Sequence, residues 1–413
     1  MRRVLFLATF IGFFHVSLIQ AQEHWVATWT TAETLAQTGA LPTQAPPERP
    51  TPQSISRFGF HNQTVRMIIR TSIPGHRVRI TLSNAFGDDP VVIGAAHIAL
   101  QEKDSEIVAA SDRALTFDGK PGCTIRPGAV MLSDAVDLAV PELAHLAVSL
   151  YLPEATGRPT VHATALHNTY VSAEGDSTAK PSIADPIVTQ SYYYLDSVSV
   201  QAPASAGLIV AFGDSITDGA RSDNETDHSW PALLAARLAK DKKTSHIAVA
   251  NMGIGGNRVL RDGAGISALA RLDRDVISQP GVKWLMVLEG INDIGHGATD
   301  PKEPASAEEL IAAHKQLIER AHQHGIKVIG CTLTPYEGAG YSRESGEAIR
   351  EAVNNWIRTG GAYDAVVDFE AAVRDPQNPK RIRAEFDPGD HLHPNNAGYQ
   401  AMADSIDLKL FTK

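Results

Sequence analysis

The sequence predicts an α/β domain with a parallel sheet, preceded by an antiparallel β-sandwich. After Pro203, unalternating apolar runs of strand length are separated by stretches with helical periodicity, which is typical of βαβ units. Before Pro203, short segments alternate apolar and polar residues between turn signals, which is typical of antiparallel strands. The length of 413 residues exceeds what one core usually spans, so we expect two domains.

Residues 1–21 have the composition of an export signal. Arg2 and Arg3 precede an apolar run that ends at the small residue Ala21. This order is typical of a cleavable signal peptide rather than a membrane-spanning helix. We therefore expect cleavage after Ala21 and a secreted or periplasmic protein.

The composition disfavours several partners and a disulfide framework. Lys and Arg total 37 against 47 Asp and Glu, which gives a formal net charge of −10. An acidic chain without a basic cluster is a poor ligand for nucleic acid or an anionic membrane, so neither partner is expected. Cys123 and Cys331 are too few to form a framework, and a bridge between them, which would join two domains, is the less favoured alternative.

Residues 22–203 are expected to form a jelly-roll-like β-sandwich without convincing helices. The segment "GHRVRITLSNAFG" alternates Val78, Ile80 and Leu82 with polar residues, and "HLAVSLYLP" repeats this alternation up to Pro153. The period of two predicts half-buried strands in both segments.

This domain also contains a proline-rich segment, a long polar stretch and a pair of tryptophans, and the last two have more than one interpretation. The proline-rich residues 41–52 are predicted to form a loop. The stretch "SAEGDSTAKPSIADP" is either a long surface loop or a lid. Trp25 and Trp29 share one face of a predicted strand, where they either pack in the interior or form a platform for a sugar.

Residues 204–413 are expected to contain five βα units. The predicted parallel strands are residues 208–212, 247–250, 284–288, 327–333 and 365–368. Ser306 and Glu309 have capping-box spacing before a helix that Gly325 ends. The carboxyl ends of parallel strands form one edge of the sheet, which is where such folds bind their ligands.

The first of these strands ends in "IVAFGDSITDG", which brings a serine hydroxyl to that edge. Gly213-Asp214-Ser215 is either a plain strand-to-helix turn with a capping residue or the site of a nucleophile. A serine nucleophile needs a base within hydrogen-bonding reach. His393 is the best candidate, because Asp390 stands three residues earlier in a turn and can orient one ring nitrogen while the other faces Ser215.

An attacked carbonyl group also needs donors for its developing negative charge. The Ser215 amide, the side-chain amide of Asn292 and one glycine amide of "GIGGN" are candidates. Spacing alone does not distinguish Gly253, Gly255 and Gly256. Asn292 has the alternative role of capping a loop.

Two histidine pairs have interpretations other than catalysis. His391 and His393 have the alternative of binding a metal, but no third ligand nearby has suggestive spacing, so neither a metal nor a cofactor is expected. His322 and His324 stand at a predicted helix C-terminus, where cations are favourable, and are expected to be structural.

Four segments of this half resemble the blocks of the SGNH/GDSL hydrolase superfamily, in the family's order. The segments are Gly213-Asp214-Ser215, Gly256-Asn257, Gly290-Ile291-Asn292-Asp293 and Asp390-His391-Leu392-His393. Ile216 stands where the family usually has leucine. The whole chain also resembles a secreted bacterial subgroup with an N-terminal β-domain.

The resemblance implies a flavodoxin-like three-layer fold and metal-free ester hydrolysis. It implies that Ser215 is the nucleophile, His393 the base and Asp390 the residue that orients the base. It also implies that the Ser215 and Gly256 amides and the Asn292 side chain form the oxyanion hole.

The leading hypothesis is a secreted serine esterase that removes short acyl groups, such as acetyl, from a carbohydrate or a similar polar substrate. One alternative is a lipid or aryl ester hydrolase, which a broad apolar cleft would favour. Another is a glycan-binding protein with an inert hydrolase domain, and the complete set of Ser215, Asp390 and His393 argues against it.

Overall fold

The computed structural model describes residues 23–36 and 50–412. The expected signal peptide lies outside the described residues, as do residues 41–49 of the proline-rich stretch. The strands of the N-terminal half are β1 (Trp25–Thr30), β2 (Thr34–Leu35), β3 (Gln63–Arg70), β4 (Gly75–Ser83), β5 (Val91–Ile93), β6 (Ala95–Lys103), β7 (Glu106–Ile107), β8 (Arg113–Leu115), β9 (Cys123–Ile125), β10 (Val130–Leu132), β11 (Val136–Val140), β12 (His145–Leu152), β13 (Thr160–His162), β14 (Thr169–Val171), β15 (Ile187–Thr189), β16 (Tyr192–Tyr193) and β17 (Leu195–Gln201).

Two antiparallel sheets dominate this half. One has the order β1-β17-β4-β10, with β11 also paired to β4, and the other has the order β15-β14-β3-β12-β6-β7, with β8 paired to β6. Ile80 and Val198 of the first sheet share a hydrophobic core with Met67 and Val148 of the second. The predicted antiparallel sandwich is confirmed.

Strand β12 differs from its prediction, because it is buried on both faces rather than half-buried. It pairs with both β3 and β6 and therefore lies inside the sheet. Ala147 on its outer face packs with Ile68 and Ile183 in a separate small cluster. The stretch around residues 177–183 covers this face, and buried Arg66 donates hydrogen bonds to its carbonyl groups. This stretch is thus a loop that covers the sandwich.

A short helix, α1 (Pro52–Phe58), occurs where no helix was predicted. Thr51 caps it, and the Thr51 and Ser54 side chains form a reciprocal capping box. A helix of seven residues is about two turns long, so it has too few residues to produce a visible apolar period.

The C-terminal half has the predicted parallel sheet. Its elements are β18 (Gly207–Gly213), α2 (Ser215–Asp218), α3 (Trp230–Lys240), β19 (Ile247–Gly253), α4 (Ala268–Leu272), β20 (Val282–Leu288), α5 (Ile291–Thr299), α6 (Ala307–Gln323), β21 (Lys327–Cys331), α7 (Glu344–Thr359), β22 (Ala365–Val367), α8 (Phe369–Val373) and α9 (Asn396–Ser405). The strand order β19-β18-β20-β21-β22 is the flavodoxin-like order. The predicted capping box of Ser306 and Glu309 begins α6.

Alternate residues of β18 enter two different hydrophobic cores, as a central strand of a three-layer domain requires. Val210 and Phe212 pack in the core that also holds Leu317 of α6, whereas Ile209 and Ala211 pack with Leu234 of α3. None of the helices in the described part of the chain combines the length and apolar composition needed to cross a bilayer.

The core of the sandwich continues onto one face of the parallel sheet. Val26 of β1 belongs to the same core as Phe212 of β18. Across this junction, the Val249 amide donates to Ser72 Oγ over 3.1 Å. Trp29 contacts Tyr192 edge to face, with 4.9 Å between ring centroids, and lines a cavity at the junction. Its position favours packing over a role as a sugar platform.

Trp25 and the two cysteines also have packing roles. Trp25 is buried beneath the Arg79 guanidinium, which lies 4.2 Å from the ring centroid. Cys123 and Cys331 are both free thiols. Cys331 is buried in β21, as expected for a small apolar side chain, and burial raises the pKa of its thiol.

A buried arginine connects the ends of β18 and β19. Arg271 donates to the carbonyl oxygens of Gly213 over 2.9 Å and Met252 over 2.8 Å. It also donates to Asn257 Oδ1 over 2.9 Å and to Asp275 Oδ2 over 3.0 Å. Its side chain is fully buried, so all of these acceptors depend on it rather than on water.

We expect Arg271→Met to lower the free energy of unfolding by about 3 kcal/mol or more, because it leaves several buried acceptors without a donor. Urea denaturation measures this change. Arg126→Met makes the same exchange at an exposed position and should stay within about 0.5 kcal/mol of the parent protein. Equal losses in the two variants would contradict the role of Arg271.

Candidate active site

Ser215, His393 and Asp390 lie in hydrogen-bonding contact at the carboxyl edge of the parallel sheet. Ser215 is the first residue of α2, directly after β18 and Asp214. Its Oγ lies 2.8 Å from His393 Nε2. On the other side of the ring, His393 Nδ1 lies 2.9 Å from Asp390 Oδ2. The structure therefore brings together three side chains that are far apart in the sequence.

A tight turn before α9 holds Asp390 and His393 in this relation. Asp390 Oδ1 accepts hydrogen bonds from the amides of Leu392 over 3.1 Å and His393 over 3.0 Å. Gly389 and His391 both have positive φ values, +106° and +58°, which the turn requires. Glycine adopts this backbone region readily, so the Pro-Gly sequence before Asp390 favours the turn.

The Asp390 carboxylate is ionised well into the acidic range. Burial alone would raise its pKa, but the hydrogen bonds from the His393 amide and ring, from Arg221 and from the Leu392 amide together hold the pKa well below its usual range. Arg221 Nε lies 2.8 Å from Asp390 Oδ2. An ionised carboxylate in this position orients the imidazole and stabilises its protonated form.

Asp214 caps the helix that Ser215 begins. Asp214 Oδ1 accepts from the Ile216 amide over 2.9 Å, so the turn has the capping residue that one interpretation of the sequence predicts. The first amides of a helix have no intrahelical acceptor, which leaves the Ser215 amide available as a donor. Burial, reinforced by the charge of Asp293, raises the pKa of Asp214 to about 7.

The glycine turn after β19 lies against the same strand end. The Ile254 amide donates to the Gly213 carbonyl over 3.0 Å. A Cβ atom on Gly253 would lie 2.2 Å from the Asp218 amide nitrogen, so packing requires glycine there. Gly256 has a φ of +76° and lines a cleft. These contacts give Gly253 a packing role, whereas a Cβ atom on Gly256 would lie 3.0 Å from the Ala264 Cβ atom in the wall of the cleft.

Both ends of the Asn292 side-chain amide have hydrogen-bond partners. Nδ2 donates to the Asn257 carbonyl over 2.9 Å, and Oδ1 accepts from the Tyr341 hydroxyl over 3.1 Å. A carbonyl only accepts, so the Asn257 contact fixes which end of the amide is nitrogen. The second hydrogen of Nδ2 remains to donate elsewhere.

Tyr341 was missed by the sequence analysis. It follows β21 in the segment "EGAGY" and packs on helix α5, where a Cβ atom on Gly295 would lie 1.7 Å from its ring. Gly295 therefore makes room for Tyr341, which in turn holds Asn292. The available signal was a glycine inside a helix three residues after Asn292, since such a glycine usually has a packing reason.

A cleft of about 800 Å³ opens beside Gly256 at the junction of the two halves. Phe86 and Arg158 line it from the sandwich, and Arg258, Asp262 and Glu303 line it from the parallel-sheet half. Leu35, Ala36, Ala264 and Ile266 also line it, so its wall combines charged side chains with apolar ones.

The remaining histidines of the sequence analysis have separate partners. The His391 ring contacts Asp387, whereas the His393 ring contacts Asp390 and Ser215. His322 Nε2 lies 2.8 Å from Asp364 Oδ2 near the end of α6, and His324 is the C-cap of that helix.

One family model and several solved structures are similar to part of this chain. A model of the GDSL-like lipase/acylhydrolase family matches residues 211–401. No curated protein matches the chain. Similar solved structures include the acetyl xylan esterase AlAXEase, with 23% identity, coverage of 48% of this chain and 96% of that chain, and a TM-score of 0.37.

Two further solved structures are similar over a comparable share of the chain. One is a variant of Axe2, an acetyl xylan esterase from Geobacillus stearothermophilus, with 24% identity, coverage of 49% of this chain and 94% of that one, and a TM-score of 0.38. The other is LAE5, an alpha/beta hydrolase enzyme from the metagenome of Lake Arreo, Spain, with 22% identity, 48% and 94% coverage and a TM-score of 0.39. Residues 211–401 therefore form a domain of the GDSL-like lipase/acylhydrolase family, which belongs to the SGNH/GDSL hydrolases, and this domain has the flavodoxin-like strand order.

Proposed function

We propose that the protein is a serine esterase that hydrolyses carboxylic esters through an acyl-enzyme. The observation that carries this proposal is the continuous hydrogen-bonded series from Ser215 Oγ through the His393 ring to Asp390, with distances of 2.8 and 2.9 Å. Serine requires a base in contact and benefits from a third group that orients the base. This series supplies both.

In the first half of the reaction, His393 Nε2 takes the proton of Ser215 as Oγ attacks the ester carbonyl carbon. The C–O bond to the alcohol then breaks, and the imidazolium returns its proton to the departing alcohol oxygen. In the second half, His393 takes a proton from water, whose oxygen attacks the acyl-enzyme. The acid leaves and Ser215 recovers its proton. Asp390 stabilises the imidazolium in both halves.

The negative oxygen of each tetrahedral intermediate is proposed to accept hydrogen bonds from the amides of Ser215 and Gly256 and from Asn292 Nδ2. The free amide at the start of α2, the left-handed turn at Gly256 and the spare hydrogen of Asn292 support these roles. Donors that are held in place before reaction stabilise charge without reorganisation, so each contributes to the rate.

The proposed substrate is a short acyl ester, such as an acetyl ester, on a carbohydrate or a similar polar molecule. The cleft beside Gly256 supports this proposal, because charged side chains hydrogen-bond hydroxyl groups and Phe86 offers a ring on which a sugar can pack. The apolar part of the wall, which includes Leu35 and Ile266, would suit the alternative substrate, a lipid or aryl ester, so the preference for acyl-chain length distinguishes the two. In either case the sandwich would contribute one side of the substrate site through Phe86 and Arg158.

We further propose that the enzyme acts outside the cytoplasm. Arg2 and Arg3, followed by an apolar run that ends in Ala21, support export with cleavage of this segment.

Ser215→Ala should abolish ester hydrolysis and leave the fold intact, because Ser215 stands at a strand end rather than within a core. We expect a loss of several orders of magnitude in kcat on p-nitrophenyl acetate. Circular dichroism and the thermal midpoint serve as controls for folding. More than about one hundredth of the parent activity would remove Ser215 from the role of nucleophile.

Asn292→Ala should lower kcat roughly a hundredfold or more with little change in KM, the size expected for one lost oxyanion donor. Steady-state kinetics measure both constants. Asn355→Ala makes the same exchange on the exposed side of α7 and should leave kcat unchanged. If Asn292→Ala instead lowers Tm and leaves kcat unchanged, Asn292 only supports the loop.

Phe86→Ala should raise KM several-fold for an acetylated oligosaccharide and leave p-nitrophenyl acetate unaffected, because only the larger substrate reaches the sandwich wall of the cleft. In a series of p-nitrophenyl esters, kcat/KM should fall roughly tenfold or more from acetate to octanoate. A preference for octanoate would favour a lipid or aryl ester hydrolase. So would an equal effect of Phe86→Ala on the KM values for the acetylated oligosaccharide and for p-nitrophenyl acetate.

A further inference from the structure

Three metal-ligating side chains meet at the junction of the two halves, apart from the Ser215 group. His145 begins β12, His167 follows β13, and Asp227 lies in the loop between α2 and α3. One ligand atom from each lies within 4.8 Å of the other two. The side chains of His167 and Asp227 are only 9% and 17% exposed, and that of His145 is 37% exposed. The cluster is therefore largely enclosed but open on the His145 side.

The spacing of these atoms is close to that of ligands around one small cation. His167 Nε2 lies 2.9 Å from Asp227 Oδ1, and His145 Nε2 lies 3.2 Å from Asp227 Oδ2. Around a tetrahedral Zn²⁺ with bonds of roughly 2.0–2.1 Å, neighbouring ligand atoms stand roughly 3.3 Å apart. A small outward movement of these side chains would admit the ion.

The groups behind the three ligands have the arrangement that metal ligands usually need. Arg70 Nε lies 3.2 Å from Asp227 Oδ2, which leaves Oδ1, the oxygen next to His167, for a metal. Behind the His167 ring, Glu225 Oε2 lies 3.6 Å from Nδ1. Metal-bound imidazoles commonly have a carboxylate on this second nitrogen, and metal-bound carboxylates are themselves hydrogen-bonded.

The backbone holds the two contributing segments against each other. The Glu225 amide donates to the Leu166 carbonyl over 2.8 Å, and the Asn168 amide contacts the Glu225 carboxylate. Glu225 and Asp227 both have left-handed φ values, +60° and +56°, which are uncommon for these residue types. This conformation brings the Glu225 carboxylate to His167 and the Asp227 carboxylate to both His145 and His167.

We propose that His145, His167 and Asp227 bind one divalent transition-metal ion of the Zn²⁺ type, which joins the sandwich to the hydrolase domain. Two imidazoles and one carboxylate suit Zn²⁺, whereas Ca²⁺ and Mg²⁺ prefer sites made of oxygen ligands. A cavity of about 100 Å³, bounded in part by Arg70, His167 and Asp227, provides room for a water molecule as fourth ligand.

The ion would stabilise the junction of the two halves and would take no part in ester hydrolysis. The loop that contains Asp227 also contains Arg221, whose guanidinium contacts Asp390. Fixing Asp227 to two histidines of the sandwich therefore restrains the segment that supports Asp390. The inference is independent of the proposed esterase reaction, for which no metal is expected.

The test uses the full chain without a polyhistidine tag, after dialysis against EDTA. Calorimetric titration with ZnCl₂ should reveal one tight site per chain, and saturation should raise Tm by about 3 °C or more. Co²⁺ in the same site should give the visible absorption of a tetrahedral site with nitrogen and oxygen ligands, a measurement that needs no variant. Absence of a stoichiometric site in the parent chain would overturn the proposal.

Asp227→Asn and His167→Gln should each weaken Zn²⁺ binding at least tenfold and remove the rise in Tm. His322→Gln is the matched control, because it removes a histidine from a pair with Asp364 that has a similar distance but, within the described part of the chain, no third ligand. Unchanged Zn²⁺ affinity in folded Asp227→Asn would overturn the proposal. So would a parent Tm that responds to pH but not to Zn²⁺, since the cluster would then be only an ion-pair network.

Discussion

The hydrogen bonds of Arg271 hold the strand ends on which the active site is built. Parallel strands bring their carboxyl ends to one edge, but the loops that follow must still be fixed relative to one another. Arg271 does this from inside the domain, because its guanidinium contacts the Gly213 carbonyl before Ser215 and the Asn257 side chain after Gly256. Asn257 in turn accepts from Asn292. Hydrogen bonds of this one buried cation thus help to fix the segments that contain Ser215, the proposed nucleophile, and the proposed oxyanion donors.

The N-terminal half is part of the same physical unit. Its core continues onto the parallel sheet, and its side chains form one wall of the cleft beside Gly256. The two halves could therefore not move apart without exposing apolar surface and opening the cleft. The sandwich affects the hydrolase both as support for the sheet and as a boundary of the space that a substrate would occupy.

The fold and the proposed catalytic group were predictable from the sequence because their signals are short local patterns or motifs that follow one another in the order typical of the family. Unalternating apolar runs indicated buried parallel strands, and the spacing of Asp390 and His393 indicated a turn that pairs them. Tyr341 was not predictable in this way, since its role depends on Gly295 and Asn292, which approach it only in the folded chain. The burial of both faces of β12 was also missed, because a loop distant in sequence covers its small outward residues.

The loop between α2 and α3 shows how the two halves bear on catalysis together. At one end Arg221 contacts the Asp390 carboxylate, and at the other Asp227 contacts two histidines of the sandwich. Arg221 is largely exposed, so its ion pair with Asp390 is weak unless the loop is already held in place. The contacts of Asp227 supply that restraint. The orientation of His393 therefore depends in part on residues of the sandwich that do not touch the active site.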